Sequence, residues 1–587
     1  MRVFTPRAAL ACYLILLVAC LVGAVVPPLD GASAEYADIA LAIHEEGNWT
    51  RFIPQGLDYQ GGPPLLFWLA ALSFEFFGVS EVAYKLPSLL FSVLAIYSTV
   101  RLGSLLYNET VGRLAGVILA SAFAFLFANN DANMDALLIG SVAFATSQLF
   151  IFVTDEHKLS ARAHLVVAAV GLALGLAARG LIGVALPLFA VFLYLIYRLE
   201  WRRIFDPFWL LLPPLVLLFA SPMLYAYHVQ FGLDGLMKFV LWLQSAERSA
   251  SGSQPGGGIG DTFFYYYTYL WAFLPWTAFA LWALATGALR LINDRYWPRA
   301  QGYAVTLGVV VSAFILLSLA QFNLLHYVSV LLPFFALLVA GWLPARLRHP
   351  VYQHRLWLVQ HVVLALMLIA AFVINVWMFP MRDWLAGAVA VATVLALGIW
   401  AIPHWSGGNR LVIVSVSVSV AFWLLANINL YPRLLEYQAG TQLGEIALLE
   451  RKRDDGEKNF RYLEDGGWAA SFNLALQQRA KPITLTELAE LADRDVGTVL
   501  FVTADGREMI ETKGLLFDVW GQNFNYDTSR SRLRWRFLDP NKRHGSLKKA
   551  GSGMHDSELQ AQDKDDEELK AAYLLRVPRE EKNSRQP

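Results

Sequence analysis

In the stretch FANNDANMDALL (Phe127–Leu138), Asp131 and Asp135 stand four residues apart within an otherwise apolar region. On one continuous helix they would share a face. A carboxylate between two membrane-length apolar runs is costly unless water, a partner charge or a task keeps it there. Carboxylates so placed are candidate functional groups by default. Their plainer use is a helix N-cap beside a solvated acid. Three cationic or titratable side chains invite the same question. Arg179, in the stretch AARG, ends one apolar run where the next begins, and its guanidinium can pair bidentately with phosphate oxygens or simply anchor at headgroup depth. Arg248, in LWLQSAERSASGSQPGGG, precedes a Gly/Ser-rich stretch that suits a gating loop or a plain connector. His326 in LLHY is either a packed core histidine or a polar contact.

The elements that must position these groups are membrane helices. The chain is 56% hydrophobic and only 16% charged, with a mean hydropathy of +0.45. Most of the charge falls after residue 430, which predicts a membrane region followed by a polar module. A net charge of +0 points to neither nucleic acid nor an anionic surface as partner. The two cysteines, Cys12 and Cys20, both lie in the first apolar run, so no disulfide framework or cysteine zinc site is available. LVAC at Cys20 and ASA at Ala32–Ala34 imitate processing sites, but the first run, Ala8–Val26, reads as an uncleaved helix.

Apolar runs recur from residue 8 to residue 430 and predict an α-helical polytopic protein with about thirteen spans. Pro64–Gly78 is short and carries Glu75. If it crossed the membrane, every later basic loop would face outward, so it reads as a juxtamembrane or re-entrant helix. The N-terminus is then cytoplasmic. The first loop, the Asn129–Asp135 corner, Arg179, the 228–261 loop and Gln321–Asn323 all fall on the other side. Past Tyr431, TQLGEIALLERKR and TELAELADRD read as helices, and GTVLFVTA and GLLFDVW as strands. The expected organisation is a membrane domain over 1–430 with a first loop at 27–82 holding juxtamembrane helices, an extracytoplasmic α/β domain over 431–540, and a charged, disordered tail over 541–587.

EYADIALAIHEEGNW, GLDYQGGPPLLFWLAALSFEFFGVSEVAYKLPS, NMDALL, AARGLIGVALP, AFLPWTAFAL and LLHYVSVLLPFFALL follow one another across roughly residues 1–345. This ordered set resembles the aminoarabinose transferase and protein O-mannosyltransferase superfamily, glycosyltransferases of the GT-C fold. The resemblance implies a bacterial inner-membrane enzyme that moves a sugar from a polyprenyl phosphate to a lipid, glycan or protein acceptor on the extracytoplasmic face. A first-loop carboxylate would act as general base and neighbouring cations would hold the departing phosphate. Roles in lipid A modification or protein mannosylation would follow.

Carried over residue by residue, Asp135 falls on the family's second acidic position. The acid expected three to four positions before Tyr36–Ala37 is displaced, which leaves Asp30 and Glu35 as candidates for the base. Tyr59, Asp131, Arg179, Arg248 and His326 are the expected substrate contacts, with Arg179 where the family often has a Lys-Gly pair. Gly62 replaces the lysine usual before Pro-Pro, and QFNLLHY lacks lysines common near that position. These departures keep open a catalytically degenerate relative that binds the lipid as partner or regulator. A lipid-linked sugar transporter is a third reading, although no internal repeat of spans is evident. No cofactor is expected. For a divalent metal, only acidic side chains with His44 or His326 are at hand, without H-E-x-x-H or paired-cysteine spacing.

Overall fold

The computed structural model describes residues 4–29, 32–53, 62–155, 158–232, 264–293, 301–320, 326–382, 384–385, 387–388, 392, 407–453, 459–464, 470–492, 498–515, 517–526 and 569–576.

Helix α1 (Pro6–Ala24) begins where the Thr5 hydroxyl accepts from the Ala8 N–H at 3.3 Å and Pro6 fills a first-turn position that needs no N–H. Leu10, Leu14, Leu17 and Leu21 are exposed, while Ala8, Cys12, Ile15, Ala19 and Gly23 are buried. The outward face therefore carries mostly leucines, and most of the small side chains face inward. That inversion is the packing of a helix in lipid.

Two helices follow before the next long span: α2 (Ala32–Glu46) and α3 (Leu65–Phe77). The latter coincides with the expected juxtamembrane segment. Ser80 caps α4 (Glu81–Leu106) and Asn108 caps α5 (Glu109–Ala120), each accepting from the third N–H on. Between α5 and α6 (Phe123–Asn130) the axis bends by 56°. The opened backbone is satisfied from neighbouring segments: Phe123 N–H donates to Leu274 O and Ser419 Oγ to Ser121 O, both at 2.9 Å. The chain then turns through Asp131–Asn133 into α7 (Met134–Thr154), the most enclosed span, which packs on α4 and on α8 (Lys158–Arg179).

Helix α8 ends at Gly180, whose φ of 75° suits a residue without Cβ. Just beyond, α9 (Ile182–Tyr197) returns so closely that a Cβ on Gly183 would lie 2.3 Å from the Gly175 carbonyl carbon. Two glycines thus set the angle at which Arg179 is presented.

Among the described residues, seven helices are long and apolar enough to cross a membrane, or eight if the bent α5–α6 pair is one span. Shorter apolar helices accompany them at Leu65–Phe77, Ile182–Tyr197, Thr277–Leu289, Gly302–Leu316 and Leu332–Leu347. The protein is a multi-pass membrane protein. Helix lengths alone do not fix the expected total of about thirteen, and residues 386, 389–391 and 393–406 of the apolar region lie outside the described residues.

The C-terminal part is built on a five-stranded sheet ordered β2-β1-β3-β5-β4, with β1 (Phe460–Leu463), β2 (Lys481–Ile483), β3 (Val499–Thr503), β4 (Asp518–Tyr526) and β5 (Leu569–Arg576). Strand β1 is parallel to β2 and β3, while β5 runs antiparallel between β3 and β4. Phe501 and Leu574 pack under Leu443 and Phe472 on one face, and Leu500 and Leu575 under Leu488 and Ile510 on the other. With both faces covered, β3 reads as a continuous apolar run. Strand β5 corrects the expectation of disorder across 541–587. Average composition there is polar, but AAYLLR within it is apolar enough to enter the sheet.

Candidate active site

The end of the bundle where α1 and α8 finish and α6 meets α7 gathers the polar side chains. Asp131 and Asp135 do not share a helix. Asp131 lies in the turn after α6, and Asp135 occupies the first turn of α7. Ala132 between them has a φ of 49°, a region that side-chain-bearing residues rarely occupy. The Tyr84 hydroxyl reaches its carbonyl at 3.3 Å and donates to Ser33 O at 2.7 Å. Ser33 Oγ in turn donates to the Asp131 carbonyl. The corner is therefore clamped to the start of α2.

The Asp131 carboxylate accepts from Leu29 N–H at 3.4 Å and from Asn133 Nδ2 at 3.1 Å. Burial pushes its pKa up to about 6, with the Asp135 charge adding to the rise, while the Leu29 N–H bond, the Lys85 charge and the Asn133 bond pull it down. Its partners fasten the corner.

Asp135 Oδ1 stands 3.5 Å from Arg179 Nη2, with side-chain exposures of 14% and 20%. Ser329, on the short helix His326–Ser329, also hydrogen-bonds to Asp135. Two segments distant in sequence thus converge on one carboxylate. Tyr36, on α2, is buried with its hydroxyl in the fields of Arg179, Asp135 and Glu35. Glu35 is exposed one position earlier, and partial desolvation together with the Asp38 charge raises its pKa above the ordinary glutamate value.

The structure brings together Asp131, Asp135 and Arg179 of the sequence-derived set, and places Glu35 on α2 next to Tyr36. His326 is placed on its short helix by backbone only, and Asp30, Tyr59 and Arg248 lie outside the described residues. His44 is engaged elsewhere, its Nδ1 lying 3.0 Å from Glu75 Oε2. Among the described residues no three His, Cys, Asp or Glu side chains gather as a metal would require.

Sequence reading missed Lys85. It is fully buried, and its Nζ donates to Gly23 O at 2.9 Å and Val26 O at 2.6 Å, closing the carbonyl end of α1. Its charge also bears on Asp131. The only signal was one lysine inside the apolar EVAYKLPS, and an intramembrane charge is a candidate by default.

The sequence model of the family described as dolichyl-phosphate-mannose-protein mannosyltransferase matches residues 61–226. A curated relative from Pseudomonas paraeruginosa, named undecaprenyl phosphate-alpha-4-amino-4-deoxy-L-arabinose arabinosyl transferase, is 24% identical over 410 residues, or 64% of this chain and 72% of its own. Its namesake from Pseudomonas aeruginosa is 23% identical over 413 residues, with the same two coverages of 64% and 72%. Among solved structures, ArnT from Cupriavidus metallidurans bound to undecaprenyl phosphate superposes with a TM-score of 0.66 at 19% identity, covering 87% of this chain and 96% of that one. Its apo form gives 0.64 at 18% identity, with coverages of 87% and 95%. At such identities the superposition speaks for the fold. Taken with the ordered motifs and the family match inside the first half of the chain, it gives this chain a GT-C fold that is similar to that of the aminoarabinose transferases and protein O-mannosyltransferases.

Proposed function

We propose that the chain is an integral-membrane glycosyltransferase that takes a sugar from undecaprenyl phosphate and passes it to a hydroxyl of a lipid acceptor at the bacterial inner membrane. The observation that carries this reading is the half-buried Asp135–Arg179 pair set beside Tyr36 at one end of a GT-C bundle, with Glu35 one position before that tyrosine. The leaving group of such a transfer is already an anionic phosphate ester, so it needs positive charge and position more than a proton. Arg179 supplies a forked cation, and Asp135 with Ser329 holds its orientation. Glu35 serves as base: it takes the acceptor hydroxyl's proton as the oxygen bonds to the anomeric carbon and the carbon–phosphate-oxygen bond breaks. Its raised pKa strengthens it for that work. Asp30, displaced by the same loop, is the alternative base. Tyr59, Arg248 and His326 are assigned to substrate contacts. No cofactor enters this chemistry.

In this reading the N-terminus is cytoplasmic, and the site and the C-terminal domain face the periplasm. Glycan or protein acceptors use the same chemistry. The names of the relatives make 4-amino-4-deoxy-L-arabinose the first sugar to test. A second reading, a lipid-binding relative without transfer, draws on Gly62, which stands where the family usually has a lysine.

The deciding experiment presents purified protein with labelled undecaprenyl-phosphate sugars and lipid acceptors, and compares Asp135→Asn and Glu35→Gln with the parent chain. Transfer by the parent that is lost in the variants supports the enzyme. Retained undecaprenyl-phosphate binding with no transfer from any donor supports the second reading.

A further inference from the structure

Helix α2, which carries Glu35 and Tyr36, is fastened at both ends by different parts of the chain. At its start, Ser33 is tied to the Asp131 corner. Towards its end a single arginine from the C-terminal sheet region grips three acids. Arg479 Nε lies 3.3 Å from Asp38 Oδ1 and Nη1 lies 3.1 Å from Glu46 Oε1, while the Arg479 N–H donates to Glu45 Oε1 at 2.9 Å. Asn473 Nδ2 donates to the same Asp38 oxygen, across 435 positions of sequence.

The arginine is itself held in place. Asn473 Oδ1 accepts from Ala480 N–H at 2.8 Å, and the Asn473 carbonyl accepts from Gln478 N–H at 3.2 Å. Gln477 between them has a φ of 60°. The 473–480 turn therefore has one shape, fixed by the residue that also touches Asp38. Asp38 and Asn473 are both fully buried, and the Arg479 side chain is 16% exposed.

The rest of α2 packs through apolar contacts such as Tyr36 on Phe67, with ring centroids 5.4 Å apart. Apolar contact is non-directional and leaves rotation about the helix axis weakly specified. A planar, forked guanidinium paired with acids at helix positions 38 and 46, beside a backbone N–H bonded to the acid at position 45, fixes that rotation. Asp38 lies one turn after Glu35 and contributes to the rise in its pKa.

We propose that Arg479 is a positioning residue: docked on Asp38, Glu45 and Glu46, it lets the C-terminal domain set the rotation of α2, and so the aim of Glu35 and Tyr36 at the Asp135–Arg179 pair. The inference rests on the transferase reading above and assigns the C-terminal domain a part in it. Transfer should depend on the docking of this domain, through α2.

The test uses the full-length protein as Arg479→Gln, Arg479→Lys and the double variant Asp38→Asn/Arg479→Gln. Hydrogen exchange of the α2 amides is read beside steady-state transfer from a labelled undecaprenyl-phosphate sugar. In Arg479→Gln, α2 should exchange at least tenfold faster while the spans stay protected, and kcat should fall at least tenfold with the donor KM within twofold. Arg479→Lys and the double variant should each recover part of kcat, the first by keeping a charge and the second by removing the stranded acid. Should Arg479→Gln fail to fold, those two variants carry the test with the same readouts against the parent. Unchanged α2 exchange, or faster exchange with unchanged kcat, overturns the positioning role alone. A parent chain inactive with every donor overturns the transferase reading and this role with it.

Discussion

The Asp135 carboxylate in the first turn of α7 and the Arg179 guanidinium at the last residue of α8 stand 3.5 Å apart, each mostly withdrawn from solvent. Neither partner is stable alone at such a depth, because the survivor keeps its desolvation and loses its counter-charge. Asp135→Asn should therefore cost about 3 kcal/mol of stability, the low end for a buried pair that loses one member. It should also reduce transfer more than a hundredfold if Arg179 must be held to meet phosphate. Thermal unfolding in detergent and a transfer assay read the two effects separately. A variant as stable and as active as the parent would remove the pair from the mechanism.

Glu35 carries a pH prediction. Burial and the Asp38 charge both favour its protonated form, so its pKa lies above the ordinary value of 4.5. A base works only when deprotonated, so transfer should rise with pH along an acid limb whose midpoint lies above 4.5. Glu35→Gln should abolish that limb and lower kcat by at least a hundredfold. If the limb survives in Glu35→Gln, the base is another carboxylate, and Asp30→Asn becomes the next variant to assay.

Asp131 titrates to a different end. Its folded pKa, at about 6, exceeds its ordinary value of 3.8. Between those values the folded protein holds more proton than the unfolded chain, so stability declines as pH rises through that window. The decline amounts to roughly 3 kcal/mol at most and levels off above it. Melting temperatures taken from pH 4 to pH 7 should fall for the parent and stay flatter for Asp131→Asn, which can still accept from Leu29 N–H. Parallel curves would mean that Asp131 is not buried as described.

What could be read from the sequence follows from the range of each signal. Apolar runs report spans directly, because lipid demands about twenty apolar residues whatever the neighbours. The corner at Asp131 and Asp135 was legible because charge interrupts such runs. The use of Lys85 was not, because its acceptors are the Gly23 and Val26 carbonyls, groups that every residue possesses. Nor was the grip of Arg479 on Asp38, since an ion pair between a first-loop helix and a C-terminal turn leaves no local pattern.

Lys85 is accordingly a test of structure. Lys85→Met keeps the bulk and removes the donors to Gly23 O and Val26 O. Leaving such acceptors unmatched in a buried place should cost about 3 kcal/mol. Lys85→Arg should not rescue, because the side chain is fully buried and a guanidinium is wider than an ammonium. A wild-type melting temperature in Lys85→Met would show that water takes over those carbonyls.

The tail offers the last test. Strand β4 pairs only with β5 in the sheet order β2-β1-β3-β5-β4, and β5 also covers the open edge of β3. A chain ending at residue 568 would lose β5, strand β4 its partner, and both cores Leu574 or Leu575. An unpaired, apolar β3 edge is then exposed to other chains. The truncated protein should keep its membrane helices but lose protection of the C-terminal sheet, seen as rapid proteolytic cleavage after residue 453 and a tendency to aggregate. Removing only residues 577–587 should do neither. If truncation at 568 leaves the protease pattern unchanged, the 541–587 segment is the dispensable tail that its composition suggests, and β5 is not part of the fold.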